Sequence, residues 1–222
     1  MIFSKEDLTL LSKLESGLRV LDLKFSRLQK KIVKYIKLIE KWNSVYNLTA
    51  VREKNQMLAY HVMDSLAVCY AFKNSINVLD VGSGAGLPGI LIAIWGLDIN
   101  PSMVVHLVDS SQKRSAFLNQ VKIELNLKNV KIYNQRVENL NMYCYFDKVI
   151  CRAFANLSEI ISKTKKLISL NGQILAMKAN ILDKELTGIP FNWQIISRKN
   201  LVVPGLLSKR QLIILKNFDS SN

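Results

Sequence analysis

The chain has 222 residues, 49% of them hydrophobic, with 31 Lys and Arg against 17 Asp and Glu, a formal charge of +14. That size supports one large domain, or a domain with an extension, folded without disulfide staples. It excludes a disordered chain, and nine Gly and four Pro exclude collagen-like and low-complexity classes.

The apolar run at residues 90–97 is far short of the roughly 18–20 residues a membrane-crossing helix needs. Lys5, Glu6 and Asp7 stand where a signal peptide needs its apolar core, so a cytoplasmic protein is expected. Cys69, Cys144 and Cys151 are odd in number and lack metal-type spacing. They read as reduced thiols, with no zinc or other metal site. The charge points to a polyanionic partner. The excess is mostly Lys, beside abundant Asn and Ile, which an AT-rich genome also produces.

Residues 1–72 read as helical. Ser4 and Asp7 form a capping-box-like start, Leu8, Leu11 and Leu14 share a face, and Gly17 is predicted to stop the helix. Ser26 with Gln29 predicts a second capping box. Leu28, Ile32, Ile36, Ile39 and Trp42 then recur at helical spacing, with Trp42 assigned to the core. Lys30, Lys34, Lys37 and Lys41 lie off that stripe, as a solvated face or a phosphate track. A break covers residues 43–49, and a third helix fits 53–72.

From Ile76 the rhythm changes. Strands are predicted at 76–81, 103–108, 130–133, 146–150 and 173–177, with helices at 88–95, 112–125 and 157–168. That alternation means a parallel sheet covered on both faces. Residues 193–203 and 211–216, joined by a turn at Pro204-Gly205, predict an antiparallel edge. No Ser/Gly-rich linker separates the parts, so a helical extension (1–72) is expected to pack on a Rossmann-like α/β domain (73–222).

The first strand runs into Asp80-Val-Gly82-Ser-Gly84-Ala-Gly86-Leu-Pro88-Gly89. Glycines there let backbone approach a ligand and open a helix N-terminus with free amides. Gly84, Gly86 and Gly89 formally spell a dinucleotide fingerprint. Counted from Gly82, however, the third position is Leu87. The next acid at a strand end, Asp109, also lies further on than the roughly 20 residues a dinucleotide fold uses. An acid inside strand 1 before G-x-G-x-G is the S-adenosylmethionine pattern, and defines a class I methyltransferase fold. Asp80 would then accept from the ligand amine, Asp109 would hold the ribose hydroxyls, and Val137 and Glu138 would flank the adenine.

Several acceptor signatures are missing. No adjacent prolines support exocyclic-amine methylation. Cys151 follows Ile150 rather than Pro, and reads as a buried packing residue. For ribose 2′-O methylation Lys178 fits one Lys of the usual set, but Arg152 stands where its Asp belongs. An acceptor with its own lone pair, such as guanine N7, needs no base, and catalysis is then mostly positioning.

The chain resembles the bacterial small-subunit ribosomal RNA methyltransferase G (glucose-inhibited division protein B) family over nearly its whole length. The resemblance rests on Trp42-Asn43, Tyr46-Asn-Leu-Thr49, His61 with Asp64-Ser65 and Asp80 to Gly89. It continues through Asp109-Ser110 with Lys113-Arg114, Arg136-Val-Glu138, Arg152-Ala-Phe154 and Met177-Lys178. Ser83 and Ala85 depart from the Thr and Pro of relatives. The resemblance implies N7 methylation of one guanine of 16S rRNA near the decoding site, using S-adenosylmethionine. It implies cofactor contacts at Gly82, Leu87, Val137, Glu138 and Arg152.

With the glycine loop, the expected cofactor set is Asp80, Gly82, Gly84, Gly86, Leu87, Asp109, Val137, Glu138 and Arg152. Arg152 and Lys178, at carboxyl ends of strands, are expected at the reaction centre rather than in structural ion pairs. Asn47, His61, Asp64, Lys113, Arg114 and Lys178 are assigned to the 16S rRNA or small-subunit precursor. Asp64, one helical turn from His61, reads on spacing alone as a helix-surface pair with it, and the resemblance favours a site role in which Asp64 fixes the His61 tautomer; Asn47 and Thr49 alternatively cap the third helix. A non-catalytic RNA-binding module on the same fold, or a ribose methyltransferase, stands as the alternative.

Overall fold

A computed structural model describes residues 4–23, 29–153, 156–179 and 183–218. Helix α1 (Lys5–Val20) opens with a capping box: Ser4 Oγ accepts from the Asp7 amide and Asp7 Oδ2 from the Ser4 amide. Gly17 does not stop it. The glycine is a contact point, because a Cβ there would overlap Met63. Ser26 of the second expected capping box lies outside the described residues.

Helix α2 (Gln29–Tyr46) buries Ile32, Val33, Tyr35, Ile36, Leu38 and Ile39. Of its off-stripe lysines, Lys34 pairs with Glu124 and Lys37 with Asp7. Trp42 is half-buried against Phe117, and its indole N–H donates to Gln120. The expected third helix is broken into α3 (Lys54–Met57), a π-helical turn (Leu58–Met63), α4 (Asp64–Leu66) and a 3-10 turn (Cys69–Phe72).

Five parallel strands follow: β1 (Asn77–Val81), β2 (Val104–Val108), β3 (Val130–Tyr133), β4 (Phe146–Arg152) and β5 (Ile168–Lys178). Helices α5 (Gly89–Ile99), α6 (Gln112–Glu124) and α7 (Leu157–Thr164) connect them, and short α8 (Asp183–Thr187) precedes β6 (Trp193–Asn200) and β7 (Gln211–Asn217). The sheet order is β3-β2-β1-β4-β5-β7-β6, with β7 antiparallel to both neighbours. β5 is longer than predicted because Ile168 already pairs with Phe146, across a register shift.

Chain order reverses direction in the sheet between β1 and β4. Their carboxyl ends therefore diverge and leave a crevice, where ligands of open α/β sheets bind. One apolar core joins α1, α2, α5 and α6 to one face of the sheet, and a second joins α7 to the other.

Candidate active site

Three glycines between β1 and α5 hold left-handed backbone: Gly82 (φ 67), Gly84 (φ 57) and Gly86 (φ 90). Gly82 and Ser83 donate their amides to the Val108 carbonyl, which seats the loop on β2. A Cβ on Gly86 would run into Ile90 and Leu118, and one on Gly89 into Leu107 and Asp80. A Cβ on Gly84 would come no nearer than 3.8 Å to anything, the Gly82 carbonyl. Gly86 and Gly89 are therefore packing requirements, whereas Gly84 faces open space.

Asp80 lies wholly buried beneath this loop. Its Oδ2 accepts from the Gly89 amide at 2.8 Å, and Oδ1 has no hydrogen-bond partner among the described residues. Burial pushes its carboxyl up to about 7. Asp109, just past β2, accepts from the Gly84 amide at 2.9 Å, the Ser111 amide at 2.8 Å and Arg114 Nη1 at 3.3 Å. It thus ties the loop apex to the cap of α6.

A cleft of about 310 Å³ opens beside these groups, lined by Gly82, Asp109, Arg114, Val137, Glu138 and Ala153, among others. Val137 and Glu138 lie on a 3-10 turn (Val137–Asn139), and a hydrogen bond to its own backbone holds the Glu138 carboxyl below the usual range. Valine walls suit a purine face, and carboxylates suit hydroxyl and amine donors. These residues fit S-adenosylmethionine. Leu87 is buried in the core and does not line the cleft.

A second cavity, about 440 Å³, is lined by Tyr60, His61, Asp64, Arg152, Lys178 and Arg210, among others. Ala153, with φ 51, lines both and marks where they meet. Asp64 is 3% exposed. Its Oδ2 accepts from Arg152 Nη1 at 3.0 Å, and Arg210 Nε stands 3.3 Å from Oδ1 as a charge contact without hydrogen-bond alignment. Arg152 Nη1 also donates to the Tyr60 carbonyl. Lys178 pairs with Glu185 at 2.8 Å. Both strand-end cations therefore do make ion pairs, against expectation, because the short helices α4 and α8 beside them supply carboxylates.

His61 meets Thr49 instead of Asp64: Nε2 stands 2.7 Å from Oγ1, and Nδ1 has no hydrogen-bond partner among the described residues. The π-helical turn is wider than an α-turn, so positions three apart no longer align. Burial, then the Arg152 charge, lowers the His61 pKa to about 4.

Neither Asn47 nor Thr49 caps α3, whose N-cap is Glu53. Asn47 (φ 48) accepts from Arg52, and Lys113 stands over the Tyr46 ring at 5.8 Å. Asn47 and Lys113 line neither cavity. Arg210 and Tyr60 escaped sequence reasoning. The one signal for Arg210 was a Lys-Arg pair placed just before the last strand.

Among the described residues no helix is long and apolar enough to cross a membrane, and no three His, Cys, Asp or Glu cluster as metal ligands. Cys69 and Cys151 are buried and Cys144 exposed, all as free thiols.

The sheet order, the glycine loop and the cleft beyond β1 and β2 define a class I S-adenosylmethionine-dependent methyltransferase. The chain belongs to the rRNA small subunit methyltransferase G family, whose pattern matches residues 28–214. It is similar to ribosomal RNA small subunit methyltransferase G of Janthinobacterium sp. (strain Marseille), 45% identical over 96% of this chain and 97% of that one. The protein of the same name from Herminiimonas arsenicoxydans is 44% identical over 91% and 94%. Among solved structures, a SAM-dependent methyltransferase from Aquifex aeolicus shares the fold, with TM-score 0.55 and 13% identity over 72% and 92% of the chains. The chain is an rRNA methyltransferase that uses S-adenosylmethionine.

Proposed function

We propose that this enzyme methylates N7 of one guanine in 16S rRNA of the small ribosomal subunit, near the decoding site (guanine 527 in the family), in the cytoplasm. One observation carries the reading: among the described residues the second cavity presents three cations and no group poised as a base. Asp64 is held between Arg152 and Arg210. The His61 pKa of about 4 makes it a weak proton acceptor. Guanine N7 offers a lone pair and has no proton to lose, so positioning suffices. A ribose hydroxyl would need a base.

Bound S-adenosylmethionine supplies an electrophilic methyl on a sulfonium. In this reading Gly82 and Gly84 give its methionine part room, with Asp80, Gly86 and Leu87 shaping the loop from below. Asp109 holds the ribose hydroxyls, and Val137 and Glu138 flank the adenine. Arg152 orients donor against acceptor at the junction of the cavities, and Lys178 holds the target nucleotide. Asn47, His61, Asp64, Lys113 and Arg114 belong to the RNA side. Residues 1–72 act as a helical extension of the domain formed by 73–222, and provide the wall of the acceptor cavity that bears His61 and Asp64. Mapping 7-methylguanosine in 16S rRNA after deleting the gene tests this. One lost modification near the decoding site is expected, and an unchanged map overturns it.

A further inference from the structure

Tyr35 sits in the middle of α2, fully buried, and its hydroxyl donates to the Ala85 carbonyl at 2.5 Å. Ala85 is in the glycine loop, more than one helix and one strand away in the chain. The peptide joining Ala85 to Gly86 is flanked by Gly84 and Gly86, both left-handed. Such glycines resist neither orientation of the peptide between them. Inside the loop, the Gly86 amide donates to the Ser83 carbonyl at 2.7 Å. A peptide unit is planar, with its C=O and N–H opposed. Tyr35 and Ser83 therefore grip opposite ends of one unit, and Tyr35 is the grip that comes from outside the loop.

We propose that Tyr35 is a positioning residue for the methyl donor: from the N-terminal helices it fixes the Ala85–Gly86 peptide in the orientation that admits the methionine part of S-adenosylmethionine. Among the described residues none before β1 lines the cofactor cleft itself, so α2 acts on the cofactor through the loop backbone. Burial raises the Tyr35 pKa well above its usual value, with Arg152 opposing and Asp80 adding. The hydroxyl therefore stays a donor at every working pH. The proposal depends on the cofactor and not on which RNA atom accepts the methyl.

The test is Tyr35→Phe, which removes the hydroxyl and keeps the ring. Calorimetry with S-adenosylhomocysteine should show about 3- to 10-fold weaker binding, the size of one lost hydrogen bond. KM for S-adenosylmethionine should rise in step, with kcat and the KM for RNA within about twofold. Ile39→Ala, one turn along the same buried face, should lower Tm and leave cofactor affinity unchanged. Wild-type affinity in folded Tyr35→Phe overturns the proposal, as does an equal loss of affinity in Ile39→Ala. A wild-type enzyme that binds S-adenosylhomocysteine but makes no 7-methylguanosine would defeat the acceptor assignment alone.

Discussion

Asp64 Oδ2 accepts from Arg152 Nη1 at 3.0 Å, joining a helix of the N-terminal region to the end of β4. The carboxylate is buried and meets Arg210 on its other side, so one negative charge organises two cations. Asp64→Asn should leave both guanidinium groups without their counter-charge. Breaking a buried pair costs about 3–5 kcal/mol, and partial exposure of the arginines puts this case near the low end. Urea denaturation should show that loss, and methylation should slow by at least about tenfold because Arg152 keeps, among the described residues, only the Tyr60 carbonyl to direct it. A variant as stable and active as wild type would refute the organising role.

Gly84→Val places a side chain where the nearest described atom, the Gly82 carbonyl oxygen, lies 3.8 Å from the new Cβ, at φ 57. The left-handed backbone adds about 1–2 kcal/mol of strain. Calorimetry should find S-adenosylmethionine binding abolished in a variant that still folds, since among the described residues no atom obstructs the new Cβ. Retained affinity would move the methionine part of the cofactor elsewhere.

Lys178→Ala removes a cation from the acceptor cavity but not from the cofactor cleft. Methylation should slow by about one to several orders of magnitude, with cofactor affinity within about threefold. The rate should acquire no new pH dependence between neutral and mildly alkaline conditions, because N7 loses no proton. Full activity would remove Lys178 from the reaction centre.

Stability between pH 5 and 6 follows from three buried groups. His61 and His106 have folded pKa values lowered to about 4 from 6.5, by burial first. In this window the unfolded chain binds more protons at both, so each makes stability rise with pH. Asp80, raised to about 7 from 3.8, does the opposite, because the folded state holds its proton. The sum is a little under one proton taken up on unfolding, a slope of about +1 kcal/mol per pH unit. His61→Gln should flatten the dependence of the urea midpoint on pH. An undiminished slope would show that His61 titrates normally in the fold.

The alternation of apolar strands and helices was legible because the central strands β1 and β2 are buried on both faces, and the order of elements followed from it. The glycine loop was legible because its backbone requirement is local. Gly17 was misread because only Met63, from another helix, distinguishes a packing glycine from a stop. The His61–Asp64 pair was misread because nothing in the sequence announces a π-helical turn. Arg210 and Tyr35 were missed because their partners, Asp64 and Ala85, are brought to them by the sheet and the helix packing. Side chains whose role is set by a distant partner carry no periodic or motif signal.

The most direct test of the acceptor assignment uses small-subunit RNA from a strain lacking the gene, labelled methyl donor, and a single atomic replacement at the target guanine. Replacing N7 by C–H, as 7-deazaguanosine, should abolish methyl transfer, while a 2′-deoxy sugar at the same position should leave transfer largely intact. Transfer that survives the 7-deaza replacement and vanishes with the 2′-deoxy sugar would contradict N7 methylation and assign the ribose hydroxyl instead.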